Sequence, residues 1–138
     1  MGQQQLLLLV LATVIVGLAT VAGIQAFDQG QTRANLDANT QTAVKIASDA
    51  QAKIKEPSQF GGYDDNMTDA TGNINLEELG YETNGGKYET TDGSCTMNND
   101  DGGDISITCE SDQSKAVVKV SGTSSEDLET TTQEIIES

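Results

Sequence analysis

The run from Leu6 to Phe27 contains no charged side chain. About 20 apolar residues suffice to cross a bilayer core as a helix, and Leu6 to Ala26 meets that length. A helix that is apolar on every side needs lipid or protein all round it. Three readings follow: a secretory signal peptide, a single-span membrane anchor, or a helix that leaves the membrane and packs in a polymer. Signal peptides open on a basic segment and have a shorter apolar core of ~7–15 residues. Here Met1, Gly2, Gln3, Gln4 and Gln5 include no Lys or Arg, and no small-x-small cleavage site followed by a turn interrupts the run. A plain anchor is usually oriented by Lys/Arg on its cytoplasmic side, and this end offers none. The small residues Ala12, Gly17, Ala19, Ala22 and Gly23 suit close helix packing in an apolar setting.

After Phe27 the apolar run stops and the helical rhythm continues. Leu36, Thr40, Ala43, Ala47, Ala50 and Ile54 recur at spacings of four and three, which puts them on one stripe of a helix. Arg33, Lys45, Asp49 and Lys53 lie largely off that stripe. Pro57 restricts the residue before it, so the helix is expected to end at Glu56. A helix from Gln3 to Glu56 would be roughly 80 Å long at 1.5 Å per residue. Residues 1–27 form its apolar part, expected to protrude, and residues 28–56 its amphipathic part.

Residues 57–138 are expected to be a small β-rich head that covers the stripe. Residues 57–86 are rich in Gly, Asn and Asp and read as a connector, largely loop. Strand candidates follow at 87–91, 94–98, 104–110 and 115–121, separated by turn signals at Asp92-Gly93, at 99–103 and at 111–114. Ile105, Ile107 and Cys109 share one face of their strand, as do Ala116, Val118 and Val120. One sheet face and one helix stripe then need each other. The fold class is α+β, with a small antiparallel sheet of about four strands. The tail 124–138 is open: Ser125, Glu126 and Asp127 read as a helix start, and the threonine run favours strand.

Cys95 and Cys109 flank a turn centred near Gly102. In a symmetric hairpin they fall opposite each other, with Met97 facing Ile107. That is the register of a cross-strand disulfide, and it implies an oxidising exterior. A metal pair or a redox thiol is the rival. Two cysteines without histidine or a close C-x-x-C are poor zinc ligands.

All the charge lies after Phe27. The chain carries 22 acidic and 7 basic residues, no histidine, and a net charge of -15. DNA binding would need clustered Lys/Arg to displace counterions, so nucleic acid is excluded as a simple electrostatic partner. Anionic lipid is disfavoured for the same reason. Solubility by self-repulsion and adaptation to high salt both fit, and the salt-rich reading is favoured. No nucleophile motif and no phosphate-binding Gly loop in a strand–helix setting is found. No catalytic residue, no enzyme activity and no cofactor are therefore expected.

The chain resembles type IV pilins and the related pseudopilins. One stretch that carries the likeness is LLLLVLATVIVGLATVAGI running into DANTQTAVKIASDAQAKI; another is NLEELGYETNGGKYETTDGSC; the late cysteine pair adds to it. The resemblance implies a pilin-like fold and the role of major subunit of an extracellular filament on the cell surface. That subunit is held in the cytoplasmic membrane by a single span before assembly. Its alternatives are a secretion-system pseudopilin and a membrane-anchored binding ectodomain that never polymerises. The implied partners are other copies of the chain, the pilus assembly machinery and a prepilin peptidase. The implied assembly residues are Met1, Gln3, Gln4, Gln5, Leu6, Leu9, Val10, Thr13, Gly17 and Gly23. Bacterial pilins carry a glutamate where this chain has Gln3, Gln4 and Gln5, so registration would rest on amide bonds and packing. The proline that commonly kinks these helices is missing, leaving Gly17 and Gly23 as the weak points. Methylation of the mature first residue is implied, with Met1 or a site just before Gln3 as the alternatives. Motility, adhesion and DNA uptake are equally open as the filament's use.

Two further candidates lie in the connector. Asp69, Thr71, Asn73 and Glu78 match later positions of a calcium loop, but Met67 stands at the first position and cannot ligate calcium. The simpler reading is a solvated acidic loop leading into a short helix turn. The same applies to Asn99, Asp100 and Asp101 with Asp104. Asn66-Met67-Thr68 is a glycosylation sequon.

Overall fold

The computed structural model describes residues 2–99 and 103–135. Met1, the Asp100–Asp101 pair, the turn centre Gly102 and the tail residues 136–138 lie outside the described residues. The chain divides into two compact units, Met1–Arg33 and Ala34–Ser138. The division falls within one helix, α1 (Gly2–Lys55). Glu56 closes the last turn by donating to the Ala52 carbonyl at 3.1 Å, and Pro57 follows as expected.

In the second unit, α1 buries Asn39, Ala43, Ile46, Ala47, Ala50, Gln51 and Ile54. The expected stripe holds from Ala43 to Ile54, while Leu36 and Thr40 are only half-buried. This face packs on a five-stranded antiparallel meander. Its strands are β1 (Lys87–Thr90), β2 (Gly93–Asn99), β3 (Ile105–Glu110), β4 (Ser114–Val120) and β5 (Leu128–Glu134), neighbours in chain order. The inward side chains Cys95, Ile105, Ile107, Cys109, Val118 and Val120 join the helix alanines and isoleucines in one core. Each fully buried isoleucine contributes ~1.5–3 kcal/mol. Gly93 allows a close approach within the sheet: a Cβ there would collide with the Glu110 carbonyl oxygen.

The sheet has five strands rather than about four. The extra strand comes from the tail, where both local signals are realised in turn. Ser124 caps a 3-10 turn at Ser125–Asp127, and the threonine run then pairs with β4 from Val120↔Leu128 to Ser114↔Glu134.

The connector is also more ordered than a loop. It holds a 3-10 turn, Ser58–Phe60, and helix α2 (Met67–Asn73). Asn66 caps α2 by accepting from the Thr68 and Asp69 amides. Ala70, Ile74 and Leu76 enter the core. The segment folds back to finish α1. The last carbonyls of a helix have no partner within it. The Asp65 amide donates to the Ile54 carbonyl at 2.8 Å and the Asp64 amide to the Glu56 carbonyl at 3.1 Å. Both aspartates adopt the left-handed conformation to do so, with φ of 64° and 49°, a region that Asp tolerates better than most residues.

Candidate functional site

The first unit is the apolar part of α1. Every described side chain from residue 2 to residue 30 is exposed. Leu6, Leu9 and Phe27 expose 64%, 65% and 71% of their surface. Val10 is 49% exposed. The two hydroxyls in the run are satisfied locally. Thr13 donates to the Val10 carbonyl and Thr20 to the Val16 carbonyl, each at 2.8 Å. Such back-bonding lets a threonine sit in an apolar medium without an unpaired donor. The helix runs unbroken through Gly17 and Gly23. A Cβ at either would meet nothing within 4 Å, so both leave open surface for a neighbour's close approach. Gln3, Gln4 and Gln5 sit exposed in the first turns, which carry no acid. This helix is long and apolar enough to cross a membrane.

The head presents different chemistry. Cys95 and Cys109 face each other across β2 and β3 and are bonded, and Met97 opposes Ile107. The disulfide lies wholly within the core, so its role here is structural.

The calcium candidates are not gathered round a point. Asp69, Thr71 and Asn73 are on α2, a regular helix, whereas a calcium loop wraps its oxygens round the ion. Thr71 donates to the Thr68 carbonyl, and Asn73 to the Asp69 carbonyl. Glu78 instead accepts from the Tyr63 hydroxyl at 2.8 Å. Asn66 is exposed, but its side chain is occupied as the cap of α2, with its amide nitrogen 2.9 Å from Asp69 Oδ2.

Two tyrosines lean on carboxylates. Partial burial, then the bond to Glu78 and its charge, push Tyr63 up to about 12. Tyr81 donates to Asp49 on α1 and meets Tyr88 edge-on, with centroids 4.9 Å apart. Burial, then Asp49, raise Tyr81 well above the ordinary tyrosine range. A groove of about 690 Å³ lies beside the end of α1, lined by Asp49, Ala52, Lys55, Glu56, Glu78 and Leu79 among others.

Sequence reasoning missed the buried polar contacts between helix and sheet. Asn39 donates to Ser114 Oγ at 3.1 Å, and Gln51 donates to the Gly122 and Ser124 carbonyls at 2.8 and 2.9 Å. The signal was present in the spacing. Asn39 is one turn before Ala43, and Gln51 one turn after Ala47, both on the core face.

Comparison with known proteins finds no family model, no curated protein and no solved structure that matches this chain.

Proposed function

We propose that this chain is the structural subunit of a type IV pilus-like filament, held together by its apolar helices with the acidic heads outside. One observation carries the reading: residues 6–27 expose apolar surface on all sides of a helix that continues into a head with its own core. Such a surface is stable in lipid or against other copies of itself. Keeping this surface out of water is worth ~25 cal/mol per Å², so a bundle outside the membrane is well held, while the exchange of lipid for protein rests on close packing at small residues such as Gly17 and Gly23. Repeated head-to-tail contacts that do not close give an open filament. Before assembly the same residues anchor the subunit as a single span.

The resemblance to pilins supports this reading, as does the disulfide, which suits an oxidising exterior. Gln3, Gln4 and Gln5 then register neighbours through amide hydrogen bonds, without charge attraction. The test is electron microscopy of material sheared from cells, with an antibody to the head. Long thin fibres that carry the label are expected. Recovery of the chain only as a detergent-extracted monomer overturns the proposal in favour of an anchored ectodomain. Short stubs confined to the envelope point to a pseudopilin.

A further inference from the structure

We propose that the outward stripe of α1 between residues 34 and 55 docks a second copy of this chain, with Lys45 and Lys55 meeting carboxylates on that copy. The proposal rests on the filament reading and names one of its contacts.

The stripe lies opposite the core face. Ala34, Asp37, Gln41, Lys45, Ser48, Ala52 and Lys55 follow one another at helical spacing, and all are exposed. No bulky apolar side chain is among them, so apolar burial cannot be what draws a partner here. Charge can. Lys53 is paired with Glu56 at 3.0 Å, Lys119 with Asp104 at 2.7 Å, and Lys115 lies across from Glu110. Arg33, Lys45, Lys55, Lys87 and Lys115 have no ion pair among the described residues, and of these Lys45 and Lys55 are the two that lie on the stripe. They stand ten residues apart, about 15 Å along the axis. Asp37 is the stripe's one acid.

The complement is the chain itself. All of its 22 acidic residues but Asp28, Asp37 and Asp49 come after Lys55, against the three cations Lys87, Lys115 and Lys119. A second copy's head therefore offers a dense field of carboxylates to any unpaired lysine. Salt weakens contact pairs of this kind less than it weakens longer-range repulsion, because the screening length at 1 M is ~3 Å.

The test uses the full chain. Preparations with light and heavy nitrogen are mixed in detergent, taken through assembly, and treated with a zero-length carbodiimide that joins amines to carboxylates in contact. Mass spectrometry then reads mixed-label cross-links, which arise only between copies, and electron microscopy reads fibres. Mixed-label cross-links at Lys45 and Lys55 are expected, at least tenfold above those at exposed Lys87. The K45Q/K55Q variant should lower pelletable polymer about tenfold, and K87Q should leave it within twofold. Fibres without mixed-label cross-links at Lys45 and Lys55 overturn the docking contact and leave the filament reading standing. Cross-links at the stripe without fibres do the reverse. Neither signal overturns both.

Discussion

Asn39 is 1% exposed and Ser114 is fully buried, yet both are polar, so each depends on the other. Their bond, together with the 2.9 Å contact between Ser114 Oγ and Ser111 Oγ, ties α1 to the start of β4. Gln51 ties it to the residues just after β4. Two polar ties twelve residues apart hold the helix in one register, which a face rich in alanine would otherwise leave free to slide. Asn39→Ala should cost ~1–3 kcal/mol, because it leaves buried hydrogen-bonding capacity unmet. Exposed Gln41→Ala should stay within about 0.5 kcal/mol. Urea unfolding of the full chain in detergent, followed by tyrosine fluorescence, reads both; equal effects would show that the Asn39 bond contributes nothing. The tyrosines give a pH limit. Tyr63 is raised from an ordinary ~10 to about 12 in the folded chain. A raised pKa means that folding favours the protonated form. Its contribution is whole below pH ~10 and is lost as pH rises toward 12. Tyr81 shifts in the same direction. Tyrosinate absorbance and circular dichroism should therefore change together above pH ~10. Tyrosines that ionise fully near pH 10 with the fold unchanged would contradict this.

Among the elements, the hairpin of β2 and β3 has the clearest job, since its disulfide closes a loop of about 15 residues at the centre of the core. Such a loop is worth ~3 kcal/mol in the chain-entropy model. The Cys95→Ala/Cys109→Ala variant should melt roughly 12–24 °C lower than the oxidised chain. Wild-type chain reduced under denaturing conditions and refolded should fall with it. A reduced chain that melts like the oxidised one would show that packing alone holds the sheet. This hairpin is legible in the sequence, because two alternating runs about a turn fix which residues oppose. The apolar run and the helix stripe are legible for the same reason: one periodicity, sustained. What escapes is short or conditional. Helix α2 is seven residues long, and its Asn66 cap sits among Asp and Gly that elsewhere mark loops. Strand β5 exposes nearly every side chain, so no buried alternation announces it, and only pairing with β4 makes it a strand. The calcium candidates fail on conformation, because matching residue types on a regular helix do not converge. The stripe bearing Lys45 and Lys55 is legible only as positions off the core face; which cations lack a partner depends on how the head folds around them.

For the whole molecule the governing quantity is the net charge of -15. Seven cations cannot pair with 22 acids, and two of the seven already serve Glu56 and Asp104. Most carboxylates therefore face only water and one another. Folding draws them together, so self-repulsion opposes the compact state. Salt relieves it, since the screening length falls from ~10 Å at 0.1 M to ~3 Å at 1 M. Stability should rise with sodium chloride, by ~1 kcal/mol or more between ~0.05 and ~1 M, a gain of at least about 4–8 °C in melting temperature. The shape of the rise identifies its cause. Screening changes fastest at low concentration and then levels off. Exclusion of salt from the protein surface strengthens burial without a plateau and is stronger for sulfate than for chloride. Scanning calorimetry at matched ionic strength separates the two. A curve that levels off and is the same for both anions assigns the gain to charge. A gain confined to sulfate assigns it to burial, and a melting temperature that does not move would mean the carboxylates are far enough apart not to repel. Acid is no substitute for salt in this test. Protonation also removes repulsion, but hydrogen bonds from Ser58 hold Asp64 below its ordinary pKa, and bonds from Ser124 do the same for Asp127. Their contribution is present above the unfolded value and is lost as pH falls through the folded one. Acid should therefore relieve charge first at the ordinary carboxylates and break these two loop ties at lower pH still, whereas salt leaves the ties intact, and a chain that gains stability with salt should gain less, or lose, on acidification below pH ~4.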